Sequence, residues 1–322
     1  MSDNTAERTT TSKEELEINK SKQPHYQPSQ FSRGHEPPIQ HQPPPGLESQ
    51  MSPTPIYDQL PTPTGGYAPY QPANKLANRK ALITGGDSGI GRAVAVLFAL
   101  EGADSVITYL PEEKSDAEET QRIVESKGRR CWILEADLTT SEACREVARK
   151  AREWLGEVNV LVNNAAFQME KERIEELSEE QWDKTFKTNV YPFFWLAKYI
   201  TPDMKSGDCV INNASINHYI GKPNLLDYTS TKGAIIAFTR ALSNQLTPRN
   251  IRCNAVAPGP VWTPLVVATM TNEDLEGFGR TPLGRPAQPS EVATCFVFLA
   301  GREAAMVSGQ VLHPNGGTVV GS

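Results

Sequence analysis

The residues of this sequence that point most directly to chemistry are a tyrosine and a lysine, one helical turn apart. Tyr228 and Lys232 lie in the stretch Leu-Asp-Tyr-Thr-Ser-Thr-Lys-Gly, and Ser215 lies thirteen residues before the tyrosine. A phenol has an ordinary pKa of about 10, and an ammonium one helical turn away stabilises its phenolate. The three side chains therefore predict proton transfer to or from a substrate oxygen, provided that the fold brings them together.

A glycine-rich loop lies far upstream, between a predicted strand and a predicted helix, and reads Thr84-Gly-Gly-Asp-Ser-Gly-Ile-Gly91. Glycines let the backbone turn tightly and approach a pyrophosphate, which the N–H groups at a helix N-terminus then bind. The same loop without a ligand would be a structural turn, but the strand–loop–helix context favours a dinucleotide site. The positions expected to contact the cofactor are Gly85, Ser88, Gly89, Ile90 and Gly91.

Composition divides the 322-residue chain into two parts. Residues 1–75 hold thirteen of the 25 prolines and many Gln, Ser and Thr, without sustained apolar periodicity. Such a segment buries too little apolar surface to offset the entropy of ordering it, so we predict a disordered tail. Residues 76–322 have the size of a single α/β domain with a substantial core.

Charge, cysteines and hydropathy disfavour several classes of protein. The net charge of −6 gives no basic field for nucleic acid. The five cysteines are widely spaced and form no C-x-x-C pair, which indicates reduced thiols and no metal site. No apolar run reaches the roughly 18 residues of a membrane span, and the N-terminus has no secretory-signal pattern. We expect a cytoplasmic protein that acts on a small molecule.

From residue 79 onward, short β-branched runs alternate with longer helical patterns. This alternation predicts α/β architecture with a single Rossmann-type, doubly wound parallel sheet of about seven strands and helices on both faces. Ligands of such sheets bind beyond the carboxyl ends of the strands. Strands are predicted at 81–84, 105–109, 131–134, 158–162, 208–214, 251–256 and 309–313. Helices are predicted at 93–100, 114–127, 140–155, 179–203, 227–247 and 289–300.

Polar residues follow several of these strands, where a cofactor would lie. An acid at the end of the second strand would bind the ribose 2′-OH of NAD(H), but Thr108 stands there and leaves room for a 2′-phosphate. This favours NADP(H) over NAD(H), without an obvious arginine to pair with the phosphate. Asp137 and Leu138 follow the third strand, where the aspartate either binds adenine or caps the next helix. Asn163-Asn-Ala-Ala166 closes the fourth strand, and Asn189 lies inside the long helix.

Taken in order, these motifs resemble the short-chain dehydrogenase/reductase family. They are Thr84-Gly-x-x-x-Gly-x-Gly91, Asn163-Asn-Ala165, Asn189, Ser215, Tyr228-x-x-x-Lys232 and Pro258-Gly-Pro-Val-Trp-Thr263. The resemblance covers about 78–318. Three further segments look most like the general-stress and glucose/ribitol-dehydrogenase-type branch: Gly-Gly-Asp-Ser-Gly-Ile-Gly-Arg92, Tyr-Leu-Pro-Glu-Glu113 and Pro44-Pro-Gly-Leu-Glu-Ser49. Ala166 departs from the family, which usually has glycine there.

The resemblance implies a role for each of the chemically active residues. Tyr228 would be the acid in carbonyl reduction and the base in alcohol oxidation, while Ser215 would bind the substrate oxygen. Lys232 would bind the nicotinamide ribose and lower the pKa of Tyr228. Asn189 would hold a water that links Lys232 to solvent. Further cofactor contacts would come from Asn164, Val261 and Thr263.

The resemblance also gives expectations for the substrate side and for assembly. Residues 264–284 would form a mobile lid over the substrate. The helices at 179–203 and 227–247 would build a homotetramer. The residues expected to shape the substrate pocket are Phe167, Gln168, His218, Tyr219 and Trp262.

The implied reaction is NAD(P)(H)-dependent hydride transfer between an alcohol and a carbonyl, on CH–OH donors. An NAD-dependent polyol or sugar dehydrogenase and a reductase of a specialised biosynthetic pathway are alternatives within this class. Outside it stand a cofactor-binding regulator without chemistry and a protein that recruits partners through its proline-rich tail. Intact Ser215, Tyr228 and Lys232 argue against the regulator. Loops set the substrate, and the sequence does not name it.

Overall fold

A parallel sheet runs through the middle of the protein. The computed structural model describes residues 29–63 and 66–321. The strands of the sheet within these residues are β1 (Lys80–Ile83), β2 (Asp104–Tyr109), β3 (Cys131–Glu135), β4 (Val160–Asn163), β5 (Cys209–Asn213), β6 (Arg252–Val256) and β7 (Val311–Leu312). They lie in the order β3-β2-β1-β4-β5-β6-β7, and every neighbouring pair is parallel. The predicted fold class is confirmed.

Helices cover both faces of this sheet. They are α1 (Gly89–Leu100), α2 (Lys114–Ser126), α3 (Ser141–Leu155), α4 (Glu179–Asn189), α5 (Tyr191–Ile200), α6 (Asn217–Ile220), α7 (Leu226–Leu246), α8 (Pro264–Thr269), α9 (Asn272–Glu276) and α10 (Pro289–Ala300). Successive strand residues point to opposite faces. Ile83 therefore packs in the core with α1, α2 and α10, whereas Leu82 packs in the core with α3 and α5.

The helix predicted at 179–203 is two helices. Helix α4 ends at Asn189 and α5 begins at Tyr191, with Val190 between them at φ −116° and ψ −48°. Pro192, at the start of α5, has no N–H to bond the preceding turn, and its ring would clash with that turn in a helix interior. The break leaves Asn189 at a helix end, where its side chain reaches the loop after β4.

The structure also departs from the predicted disorder of residues 1–75. Residues 1–28 lie outside the described part of the chain, but Gln59–Pro61 pairs with Tyr67–Pro69 as an antiparallel hairpin. Phe31 and Met51 are buried, and the carboxylate of Glu48 is enclosed by the domain. The segment needs no core of its own, because it adds apolar and polar groups to the surface of the sheet domain.

Candidate functional site

A cleft of about 870 Å³ lies beyond the carboxyl ends of the strands, where ligands of such sheets bind. Its wall is built by the segments that follow β1 to β6. Gly91 and Asn189 lie behind this wall. The predicted site residues that line the cleft are Gly85, Ser88, Gly89, Ile90, Thr108, Asp137, Leu138, Asn164, Ser215, Tyr228, Lys232, Val261 and Thr263.

The glycine loop is fixed by steric constraints. Gly85 and Gly89 have φ of +58° and +52°, in the left-handed region that favours glycine. A Cβ atom on Gly91 would lie 1.8 Å from the carbonyl oxygen of Gly85, so the first turn of α1 packs directly on the loop. This cradle suits the close approach of a pyrophosphate. The N–H of Gly89, however, donates to Oε2 of Glu48 at 2.6 Å and is not free for a phosphate.

Asparagine side chains hold the ends of β1, β4 and β5 together. Nδ2 of Asn164 donates to the carbonyl oxygens of Thr84 and Gly85, both at 2.9 Å. Nδ2 of Asn213 donates to Oδ1 of Asn164 at 2.8 Å. These bonds engage the N–H groups of both amides and fix the floor between the glycine loop and the end of β5.

The fold brings the three reactive side chains of the sequence to the end of β5. Nζ of Lys232 lies 5.1 Å from the centre of the Tyr228 ring and donates to the carbonyl oxygen of Asn213 at 2.9 Å. The hydroxyl of Ser215 hydrogen-bonds Tyr228, and its Oγ accepts from the N–H of Asn217 at 3.2 Å. Helix α7 carries Tyr228 and Lys232 on one face, as their spacing requires.

Burial moves both titratable groups toward their neutral forms. It raises the pKa of Tyr228 to about 12, against a smaller opposing effect of the hydrogen bond to Ser215. It lowers the pKa of Lys232 to about 7. Lys232 was expected to lower the pKa of Tyr228, but the net shift of that pKa is upward. Burial also disfavours the charged form of Lys232 itself, so the ammonium stabilises the phenolate less than its proximity suggests. At neutral pH the phenol keeps its proton and is arranged as a donor.

Asn189 has both of its N–H groups committed to the protein. Nδ2 donates to the carbonyl oxygen of Phe167 at 2.8 Å and to Oγ1 of Thr231 at 3.1 Å, while Oδ1 accepts from the N–H of Phe167 at 2.7 Å. The side chain therefore fixes the loop after β4 against α7. A water at this residue would have to be held by its carbonyl oxygens.

The end of the cleft beyond β2 is acidic. Thr108 is buried, and its Oγ1 accepts from the N–H of Gly85 at 3.3 Å. Asp87, Glu112 and Glu113 line the cleft beside it. Burial raises the pKa of Glu113 to about 8, and the Asp87 carboxyl adds to the shift. The Tyr-Leu-Pro-Glu-Glu segment contributes to the family resemblance, but its place in the site was not predicted from the sequence.

The opposite end of the cleft, beyond Tyr228, is built by loops. Phe167 and Gln168 line it as predicted, whereas His218, Tyr219 and Trp262 do not. The ring of His218 stacks on that of His313, and the ring of Tyr219 contacts both at a tilt. Trp262 is 1% exposed and donates from Nε1 to the carbonyl oxygen of Pro53 at 2.9 Å.

Sequence reasoning also missed an ionic cluster at this end. Nζ of Lys222 lies 2.7 Å from Oδ1 of Asp274 and 3.8 Å from Oε1 of Glu170, and Asn224 bonds Asp274. Burial raises the pKa of Glu170 to about 7. The cluster joins the loop after β4, the loop before α7 and helix α9. No single-segment motif could have indicated it, because its members come from two loops and a helix that are far apart in sequence.

In the described residues, no group of three or more His, Cys, Asp or Glu side chains could hold a metal ion. Within the same residues, no helix is both long enough and apolar enough to cross a membrane.

Comparisons with known proteins agree with this geometry. The family model described as "Enoyl-(Acyl carrier protein) reductase" matches residues 85–319. The crystal structure of a short-chain dehydrogenase from Burkholderia cenocepacia in complex with NADP superposes with a TM-score of 0.71 at 27% identity, over 76% of this chain and 98% of that one. The chain belongs to the short-chain dehydrogenase/reductase family.

Similar proteins within this family support the resemblance to its stress and glucose/ribitol branch. General stress protein 39 of Bacillus subtilis is 49% identical over 86% of this chain and 94% of its own length. Glucose and ribitol dehydrogenase of Daucus carota is 44% identical over 90% and 99%. NADPH-dependent aldehyde reductase 1, chloroplastic, of Arabidopsis thaliana is 44% identical over 86% and 96%. This short-chain dehydrogenase/reductase is therefore an oxidoreductase.

Proposed function

We propose that this protein interconverts an alcohol and a carbonyl compound with NADP(H), and that Tyr228 transfers the proton. One observation carries the proposal: Tyr228, Ser215 and Lys232 converge in the cleft that the glycine loop also lines. When bound, the nicotinamide cofactor supplies or accepts the hydride. The catalytic domain is residues 76–322.

Each reactive side chain has a task that its surroundings support. In reduction, the neutral phenol of Tyr228 gives its proton to the carbonyl oxygen, and in oxidation its phenolate takes the proton back. The hydroxyl of Ser215 holds the same oxygen and stabilises its developing charge. Lys232, oriented by its hydrogen bond to the carbonyl oxygen of Asn213 at the end of β5, would hold the nicotinamide ribose, and Asn189 would complete the path to solvent through a carbonyl-held water.

The residues along the rest of the cleft would hold the cofactor. All of them line the cleft: the glycine loop would hold the pyrophosphate, Asn164 would border the ribose, and Val261 and Thr263 would hold the carboxamide and phosphate ends of the cofactor. Asp137 and Leu138 stand at the adenine end. The preference for NADP(H) is supported by Thr108 in place of an acid, by the NADPH dependence in the name of the Arabidopsis relative and by NADP in the Burkholderia structure.

NAD(H) is the second candidate cofactor, favoured by one specific observation. Asp87, Glu112 and Glu113 line the cleft next to Thr108, and a carboxylate repels a 2′-phosphate. The loops at 108–113 and 136–139 contain no lysine or arginine. Activity with NADPH and with NADH must therefore be compared directly.

A panel of aldehydes, ketones, sugars and polyols, assayed with NADPH and NADH separately, tests the function and its cofactor. We expect turnover with at least one carbonyl or alcohol and a higher kcat/KM with NADPH. Equal kcat/KM values with both cofactors would remove the NADP(H) preference. Binding of both cofactors without turnover of any compound would favour the regulator over the enzyme.

The panel also separates a polyol or sugar dehydrogenase from an aldehyde or ketone reductase. The charged cluster of Lys222 and Asp274 suits a hydroxylated substrate, whereas Phe167, Met270 and Phe278 on the same cleft suit an apolar one. A reductase of a specialised pathway would act on few members of the panel. We propose that residues 264–284 form a lid over this end.

We further propose a cytosolic homotetramer. Trp182, Tyr191 and Phe194 on α4 and α5 are exposed large aromatic side chains, of the kind that oligomer interfaces bury. The five cysteines are unpaired, as expected of a reducing compartment. Sedimentation of the wild type and of Phe194→Glu tests the assembly: a smaller species in the variant supports this interface, and an unchanged one contradicts it.

A further inference from the structure

The N-terminal segment, which composition alone predicts to be disordered, places the carboxylate of Glu48 at the glycine loop. Glu48 is 1% exposed, and its Oε2 accepts from the N–H of Gly89, the first residue of α1, at 2.6 Å. Its Oε1 accepts from Nη1 of Arg92 at 2.7 Å. The carboxylate thus satisfies an N–H group at the helix N-terminus, where negative charge is stabilising.

The guanidinium group of Arg92 also donates hydrogen bonds to the segments on either side of it. Nε of Arg92 donates to the carbonyl oxygen of Asp87, and Nη2 donates to that of Asp116 at 3.0 Å. The Asp116 carboxylate accepts from the backbone N–H groups of Glu48 and Ser49 at 2.5 and 3.3 Å. The network therefore joins Glu48, the glycine loop and α2. The side chains of Glu48, Arg92 and Asp116 in it are all buried, so removal of one leaves another unsatisfied.

The same segment reaches the proposed lid. The N–H of Gln42 donates to the carbonyl oxygen of Val267 at 3.2 Å. A Cβ on Gly46 would lie 2.9 Å from the carbonyl oxygen of Pro264, so the two backbones are in close contact. Met51 is buried in one cluster with Trp262 and Val267. We call residues 42–53 the strap.

Between these two contacts the strap forms part of the cleft wall through Pro44 and Pro45. One short segment thus touches the N-terminus of α1 and the first helix of the proposed lid. We propose that Glu48 is a positioning residue for the cofactor, and that the strap fixes the position of the glycine loop relative to the lid. This rests on the proposed binding of a nicotinamide dinucleotide.

The experiment compares Glu48→Ala and Glu48→Gln with the wild type. Glu48→Gln keeps the shape but offers one acceptor to two donors, so either Gly89 or Arg92 faces an amide N–H. Both variants should raise the Kd of NADPH and NADH about tenfold, measured by fluorescence titration, while kcat at saturating cofactor stays unchanged. Glu36→Ala, the same change at an exposed position next to the strap, is the matched control and should bind as the wild type.

Thermal unfolding of each variant separates positioning from simple anchoring. A lower Tm with unchanged cofactor Kd in either Glu48 variant would overturn the proposal, and so would a loss of kcat with unchanged Kd. Glu48→Gln decides the matter if Glu48→Ala does not fold. Failure of the wild type to bind either dinucleotide would instead contradict the proposed function, so the two failures are distinguishable.

Discussion

The two ends of the cleft are built in different ways. The cofactor half, from the glycine loop to Asn213, consists of strand ends and the backbone of one helix N-terminus, fixed by buried amides and close backbone contacts. The substrate half, beyond Tyr228, consists of two loops and helix α9, which the ion pairs of Lys222 with Asp274 and Glu170 join. The topology of the sheet determines the structure of the cofactor half, whereas the particular connecting segments of this chain determine that of the substrate half.

This difference explains why the reaction type is easier to infer than the substrate. Strand ends meet at one edge of any doubly wound sheet, so residues that follow them form a site wherever the fold forms. Loops have no such constraint, and their contacts depend on neighbours far away in sequence. Changes in the cofactor half should therefore be severe, and changes in the substrate half should be graded.

The largest effect on cofactor affinity is expected from Gly91→Ala. The added Cβ would lie 1.8 Å from the carbonyl oxygen of Gly85, so the loop must move or the helix must shift. We expect cofactor affinity to fall by about a hundredfold or more and the Tm to decrease. Gly233→Ala, a helical position with nothing within 4 Å, is the control. Wild-type affinity in Gly91→Ala would mean that the loop does not hold the cofactor.

A second prediction concerns Lys232, which lies between the two halves, and its effect on how the stability of the protein depends on pH. Burial lowers the pKa of Lys232 from 10.5 to about 7, so between these values the unfolded state holds the extra proton. The contribution of Lys232 to the free energy of unfolding should therefore rise with pH across this range and level off above it. Chemical denaturation of the wild type and Lys232→Met measures the difference. Parallel pH curves would show that the lysine is not desolvated.

Glu113→Gln tests the acidic end of the cofactor half. Above the raised pKa of about 8, the wild-type carboxyl is charged and should repel a 2′-phosphate. The variant should then raise kcat/KM for NADPH relative to NADH by about tenfold. Glu118→Gln, at an exposed position on α2, is the matched control. An unchanged ratio would place the 2′ position away from Glu113.

The smallest effect is expected from Asp274→Asn in the substrate half. The amide keeps the shape but weakens the bond to Lys222, so helix α9 should be held less firmly. We expect the KM of the best substrate to rise about threefold, with the Kd of the cofactor unchanged. Glu276→Gln, exposed on the same helix, should change neither. A change in cofactor Kd would show that the two halves are not independent.

Sequence patterns were sufficient for the sheet and for most of the cofactor half. Apolar alternation and the order of strand-end motifs placed Asn164, Ser215 and Tyr228 in one cleft, because parallel strands bring such residues to one edge. The break at Val190 was missed although Pro192 was visible, since the surrounding apolar pattern continues across it.

The strap could not be predicted, because its order comes from polar groups that pair with distant partners. Glu48 and Arg92 are 44 residues apart, and neither belongs to a periodic pattern. The pKa values of Tyr228 and Lys232 were missed for a related reason. Spacing shows that two groups are neighbours but not how deeply both are buried.

A single-turnover experiment with Tyr228→Phe tests the central claim most directly. The variant is loaded with NADPH, its affinity is measured by fluorescence, and the oxidation of the bound cofactor is then followed after a carbonyl substrate of the wild type is added. We predict unchanged cofactor affinity and oxidation slower by about a thousandfold, because the proton donor is gone while the cleft is intact. Oxidation at the wild-type rate would contradict the assignment of Tyr228 as the proton donor.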